Sequence, residues 1–318
     1  MVEASANLDR MILLAGGEFR MGSDRHYPEE APQHLVGVKG FWIDPVPVTN
    51  RQFTDFVAAT GYVTVAERPL DPAEYRGAEP EMLAAGSLVF HKTRGPVDLR
   101  DIRNWWTWTP GASWRHPEGS CSNIAERMDH PVVHVAFEDA EACARWMGKD
   151  LPTEAEWEFA SRGGLDGADF VWGNELSPDE RQMANYWLGE FPWQHICTDG
   201  RERTSPVGCF PANGYGLYDM IGNVWEWTTD WYGAKHRADA SSPCCVPQNP
   251  RGGTKEASLD QAQPHAPIPR KVVKGGSFLC AENYCRRYRP AARHAQMVDT
   301  GMSHIGFRCI VRKGGEDG

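Results

Sequence analysis

The sequence predicts one compact α+β domain with few helices, short strands and a high content of turns. Three observations lead there. Glycine and proline number 32 and 23 of 318 residues, which breaks the chain into many short elements. Only three stretches carry a helical apolar period, and strand-like runs gather toward both ends. Thirteen tryptophans supply the large apolar areas that hold a loop-rich chain together.

The elements follow in order. MILLAGGEFRMGS and LVGVKGFWIDPVPVT read as strands. Thr49 or Asn50 caps a helix over roughly 50–60, whose Phe53, Phe56 and Val57 share a face and which stops at Gly61. Residues 62–130 read as a long irregular segment with short strands, anchored by Trp105, Trp106, Trp108 and Trp114 either as binding surface or as core. Ala140, Cys143, Ala144 and Met147 mark a helix over 138–147. Thr153 with Glu156 three residues later is a capping box, and Gly163-Gly164 end that helix. Residues 165–235 are turn-rich. Residues 236–270, rich in Pro, Ser and Gln, read as a surface insertion, and 271–312 return to short strands, KVVKGGSF and then HIGFRCIVR. No repeat or linker divides the chain, so 1–318 is expected to form a single domain.

Net charge is −10 and no block of Lys and Arg stands out, so nucleic-acid binding has no support. No stretch approaches the roughly 20 apolar residues of a membrane span. The N-terminal segment lacks the basic start and long apolar run of an export signal, and a cytoplasmic location is expected. The nine cysteines are scattered, unlike a disulfide framework, so in a reducing compartment they stay free unless they bind metal or do redox chemistry.

Cys280 and Cys285 stand out. Five helical steps would put them about 140° apart, and a straight strand would put them on opposite faces. The sulfurs meet only if the chain bends at Ala281-Glu282-Asn283. Arg286, Arg287, Arg289 and Arg293 follow closely, and nearby cations favour the thiolate. Two soft sulfurs suit Cu(I), while a structural disulfide or two unrelated buried thiols remain open on spacing alone. Asn185, Glu190 and Asp199, and Asp219, Asn223, Glu226 and Asp230, form two acidic clusters in Gly-rich turns, readable as turn caps or as calcium ligands. His130 and His134 would share a face on a strand, but no carboxylate completes a metal triad, so they read as structural.

GGSFLCAENYCRRYRPAAR followed by HIGFRC resembles the formylglycine-generating enzymes, or sulfatase-modifying factors. GGEFRMGS, VTNRQF, GYVTVAE, ASWRHPEG, LPTEAEWEFASRGG, ANYWLGEFP and SPVGCFPANGYGLYDMIGNVWEWT look like further family blocks in family order, spanning about 11–312. The resemblance implies a C-type-lectin-like fold. It also implies an oxidoreductase that converts the cysteine of a Cys-x-Pro-x-Arg motif in sulfatase-type polypeptides to formylglycine with O2. Cys280 and Cys285 would hold Cu(I), with Trp225, Ser277 and Tyr284 beside them. Ala66, Asp71, Trp105 and Arg289 would contact the substrate peptide. Asn185, Tyr186, Asp199 and Arg201 would form one structural Ca²⁺ site, and Asp219, Gly222, Val224 and Glu226 a second. Pro47 stands where some family members carry an acidic residue near the substrate arginine. AENY between the cysteines and Met297–Ser303 also depart from the family pattern, and Cys244-Cys245 has no explanation. An iron-dependent sulfoxide synthase would need a further helical domain with an HxxxHxE site. A binding module on the same fold would have no need for the cysteine pair.

Overall fold

The computed structural model describes residues 8–72, 80–196, 202–236, 246–262 and 267–313. Strand β1 (Ile12–Met21) pairs antiparallel with β2 (His34–Ile43), from Ile12 opposite Ile43 to Met21 opposite His34. Helix α1 (Asn50–Thr60) follows. The Gln52 amide donates to Thr49 Oγ1, the Thr49 amide donates back to Gln52 Oε1 at 2.9 Å, and Gly61 ends the helix at φ 67°. Its buried Phe53 meets Trp114 edge-on at 5.0 Å, and Trp114 and Trp105 are both buried, so two of the four expected anchors are core. The long segment beyond contains only one hairpin among its described residues, β3 (Gly86–Phe90) against β4 (Trp106–Pro110).

Helix α2 (Phe137–Trp146) buries Ala140, Cys143 and Ala144. Helix α3 (Glu154–Arg162) carries the expected capping box and is buried along its whole length, charges included. Buried charges are tolerated only when paired. Here Glu154 meets Arg293, Glu156 meets Arg312, and Glu158 meets both Lys274 and Arg162. Strand β5 (Trp225–Trp231) sits between β6 (Arg270–Lys274) and the short parallel β8 (Ile305–Gly306), with β7 (Arg293–Met297) outside β6. Strand β9 (Ile310–Arg312) returns to the first sheet beside β2.

Three features differ from the sequence reading. DMIGNVWEWTTDW is only half turn, because its second half is β5. β7 is a strand although RHAQM has no apolar alternation, since pairing with β6 fixes it. HPVVHV is no strand: His134 sits at φ 60°, its Nδ1 beside Ser87 Oγ at 2.8 Å and its Nε2 beside the Pro117 carbonyl at 2.8 Å. It is a satisfied buried histidine, while His130 contacts Thr204. Residues 246–262 are pinned to the body of the fold. Gln248 bridges to Gly37, Gly253 bridges to Trp231, and Arg270 clasps the Ser258 carbonyl at 2.7 Å. Cys244-Cys245 lies outside the described residues. Among the described residues, no helix is long and apolar enough to cross a membrane.

The main hydrophobic core lies between the first sheet, the helices and β5. A second, smaller cluster of Phe90, Trp105, Trp187, Phe191, Phe278, Leu279 and Ala281 packs beneath the cysteine segment.

Candidate active site

The site is built by the chain leaving β6. Lys274 ends the strand, and Gly275 and Gly276 then turn it at φ 90° and 72°. Gly276 is required twice over. Its φ is left-handed, and a Cβ there would stand 2.9 Å from the Arg287 carbonyl oxygen and the Tyr288 nitrogen. The turn delivers Ser277, whose carbonyl accepts the Cys280 amide at 2.9 Å. The bend required between the cysteines is present. The amides of Tyr284 and Cys285 both donate to the Ala281 carbonyl, at 3.3 and 2.9 Å, while the Trp187 amide holds the Cys280 carbonyl at 3.0 Å.

The outcome is a Cys280–Cys285 sulfur separation of 3.3 Å. A disulfide would need about 2.05 Å, so these are two thiols in contact. Their electrostatics are unequal. Cys285 is pushed below the usual thiol range, first by the hydrogen bond from Cys280, against burial, and with help from Arg287, whose Nη1 stands 3.8 Å from its sulfur. Cys280 is pushed up by burial, then by its bond and proximity to Cys285. The pair is therefore poised to share one proton, with the negative charge on Cys285.

Both cysteines line a cavity of about 580 Å³. Ser277, Tyr284, Trp225 and Trp105 line it too, so six residues singled out in the sequence converge on one space. Tyr284 lies flat on Phe191 at 4.5 Å and edge-on to Trp105 at 5.3 Å, which fixes an aromatic wall. Ser277 Oγ accepts the Leu279 amide at 3.2 Å, leaving its hydroxyl proton to donate. Sequence reasoning missed His294 and His304. His294 packs on Trp225 at 5.6 Å and His304 on Trp106 at 4.7 Å, and burial holds them down to about 4 and about 3, so both are neutral at pH 7. It also missed the placing of Arg287 in the cavity wall, although the arginine run was its signal.

Other expected residues lie elsewhere. Ala66 is buried in a short 3-10 turn and does not line the cavity, nor does Asp71. Arg289 is 2% exposed and held by both oxygens of Glu30, so it is closed to a peptide in this arrangement. Of the first calcium set, Asn185 and Tyr186 are buried, and Asp199 and Arg201 lie outside the described residues. In the second set, Asp219 is raised by burial and accepts the Gly208 amide at 2.7 Å. Glu226, fully buried, is taken up by Arg308 at 2.6 and 2.7 Å and by Trp157 Nε1 at 2.7 Å. A carboxylate already neutralised by a guanidinium fork fits calcium poorly. Gly222 and Val224 sit in the turn between them.

The thiol pair does fit a soft metal. Two sulfurs in contact, one favoured as thiolate, offer the donor chemistry of Cu(I). Among the described residues no three of His, Cys, Asp and Glu converge. The described residues would thus offer such a metal two sulfur ligands.

Fold and site together define a thiol-centred domain of the sulfatase-modifying-factor type, in which long loops are pinned by aromatic clusters around one cysteine pair. The chain matches the Sulfatase-modifying factor enzyme 1-like domain family over residues 1–313, and it belongs to that family. It is 54% identical over 304 residues to the formylglycine-generating enzyme of Mycobacterium tuberculosis, covering 95% of this chain and 98% of that protein. It is also 43% identical over 311 residues to the inactive Cα-formylglycine-generating enzyme 2 of Mus musculus, covering 96% and 86%. Among solved structures, PvdO from Pseudomonas aeruginosa aligns with a TM-score of 0.58 at 24% identity, over 95% and 94% of the chains, a likeness of fold alone. The relatives thus include proteins named as formylglycine-generating enzymes and one named inactive.

Proposed function

We propose that this protein oxidises the cysteine of a Cys-x-Pro-x-Arg motif in sulfatase-type polypeptides to formylglycine, using Cu(I) held by Cys280 and Cys285 and O2 as acceptor. The observation that carries the reading is the pair of unbonded thiols 3.3 Å apart in the wall of an aromatic cavity of about 580 Å³. Copper, when bound, would supply a soft centre that accepts the substrate thiolate and passes electrons to oxygen.

The chain's own groups do the rest. Arg287 holds negative charge on Cys285. The wall of Trp105, Tyr284 and Phe191 excludes water from the substrate sulfur, and a fixed thiolate beside the reacting carbon lowers the entropic barrier. The neutral His294 and His304 keep further positive charge out. The stoichiometry closes with one O2 and two electrons from two external thiols, which leave as a disulfide. The substrate carbon gives up two electrons, its sulfur leaves as hydrogen sulfide, and one water forms net. The thiols of Cys121, Cys143, Cys280, Cys285 and Cys309 suit a reducing compartment such as the cytoplasm.

The test is a peptide carrying the motif, incubated with protein, Cu(I), a thiol reductant and oxygen. The expected result is loss of the thiol mass and capture of an aldehyde by a hydrazide. Cys280→Ser and Cys285→Ser should each abolish copper retention and turnover. A folded, copper-loaded sample that yields no aldehyde refutes the proposal.

A further inference from the structure

A segment remote in sequence grips the chain just beyond Cys285. Residues 28–30 form a short 3-10 turn that lies against residues 286–289. The Arg286 amide donates to Tyr27 Oη at 3.0 Å. The Arg287 guanidinium lies 3.8 Å over the Tyr27 ring. Its Nε donates to Glu29 Oε1 at 3.1 Å, and its Nη2 shares that oxygen. Arg289 Nη1 donates to Glu30 Oε2 at 2.7 Å. These contacts tie three anchor points to one rigid turn.

The arrangement divides the Arg287 fork. One edge is spent on Glu29, and the remaining Nη1 faces the Cys285 sulfur at 3.8 Å. A long side chain on a bend has many rotamers, so Glu29 and the Tyr27 ring decide where that nitrogen sits. The Tyr27 bond to the Arg286 amide fixes the backbone that carries Cys285 itself. Glu30 and Arg289 are nearly fully buried, the pattern of a structural ion pair, whereas Glu29 and Arg287 keep 15% and 20% side-chain exposure.

We infer that Tyr27 and Glu29 are positioning residues that hold Cys285, through Arg286 and Arg287, in the orientation that captures Cu(I). The inference rests on the copper reading above. Partners that orient a ligand from behind typically change metal affinity ten- to a hundredfold when removed.

The experiment measures Cu(I) affinity of the full chain by anaerobic competition with a chromophoric chelator, alongside thermal unfolding of the metal-free protein. Glu29→Gln is expected to weaken binding by roughly ten- to a hundredfold, with Glu29→Asp recovering most of the loss. Tyr27→Phe removes only the hydroxyl and should weaken binding in the same direction while leaving the fold intact. Glu30→Gln should instead lower the melting temperature, the mark of a structural role. If Glu29→Gln and Tyr27→Phe both fold and bind Cu(I) as tightly as wild type, the clamp is refuted while the copper site stands. If Glu29→Gln fails to fold, Tyr27→Phe decides alone. Wild-type protein that binds no Cu(I) overturns both.

Discussion

Glu158 pairs with Lys274, the last residue of β6 before the turn to the site, and its removal has a calculable consequence. Its carboxylate is fully buried on α3. Oε1 accepts Arg162 Nη2 at 2.7 Å and the Gly22 amide at 2.8 Å, and Oε2 accepts Lys274 Nζ at 2.9 Å. Burial alone would raise its pKa, but Lys274, Arg162 and the Gly22 amide outweigh burial and hold it at about 2, from an ordinary 4.5. Because the folded-state value is depressed, the stabilisation is complete above pH 4.5 and is lost as pH falls toward 2. At 1.36 kcal/mol per tenfold in proton affinity, it amounts to about 3 kcal/mol. Glu158→Gln removes this pH-dependent part and leaves Lys274, itself fully buried, with only Glu154 at 3.8 Å. The cost at pH 7 is expected to be roughly 3–5 kcal/mol. Urea unfolding of both proteins between pH 7 and 2 tests this. The wild-type advantage should shrink by about 3 kcal/mol below pH 4.5. An advantage constant across that window would refute the claim that Glu158 is held ionised by Lys274 and Arg162.

Three further perturbations address the site directly. Gly276→Ala places a Cβ 2.9 Å from the Arg287 carbonyl oxygen at a left-handed φ, so it should cost about 1–3 kcal/mol in denaturant unfolding and lower turnover by shifting Arg287 away from the thiols. Trp105→Ala opens the aromatic wall and should cost about 3–5 kcal/mol; a variant of unchanged melting temperature would show that Trp105 is not the packed anchor its 1% exposure implies. Glu226→Gln strands the buried Arg308 and should cost roughly 3–5 kcal/mol, equally with and without EGTA. If the cost disappears in EGTA, Glu226 acts through calcium and not through Arg308.

What the sequence made legible divides along a physical line. The cap of α3 was readable, and the start of α1 to within one residue, because Thr153 with Glu156 and Thr49 with Gln52 are local chemistry, settled within four residues. The bend between the cysteines was readable because neither a helix nor a strand at that spacing lets two sulfurs meet. β7 and His134 were not, because their conformations are imposed by partners far along the chain: β6 for the first, Ser87 and Pro117 for the second. The arginine run after Cys285 lies between these cases. Its charge promised a thiolate, but four arginines in eight residues gave no sign of which one would face the sulfur. Arg293 goes to Glu154 and Arg289 to Glu30, and neither reaches the cavity. Only Arg287 keeps a nitrogen for sulfur, because Glu29 takes one edge of its fork and leaves the other. The polarity of the site is therefore set by how acidic partners distribute themselves among the arginines, and those partners come from residues 29–30 and from α3, more than a hundred residues away. A cysteine pair with the same spacing and the same arginine run, but without Glu29 and Glu30, would be expected to leave its guanidiniums in water, and Cys285 would keep the hydrogen bond from Cys280 but lose the arginine's share of its stabilisation as thiolate.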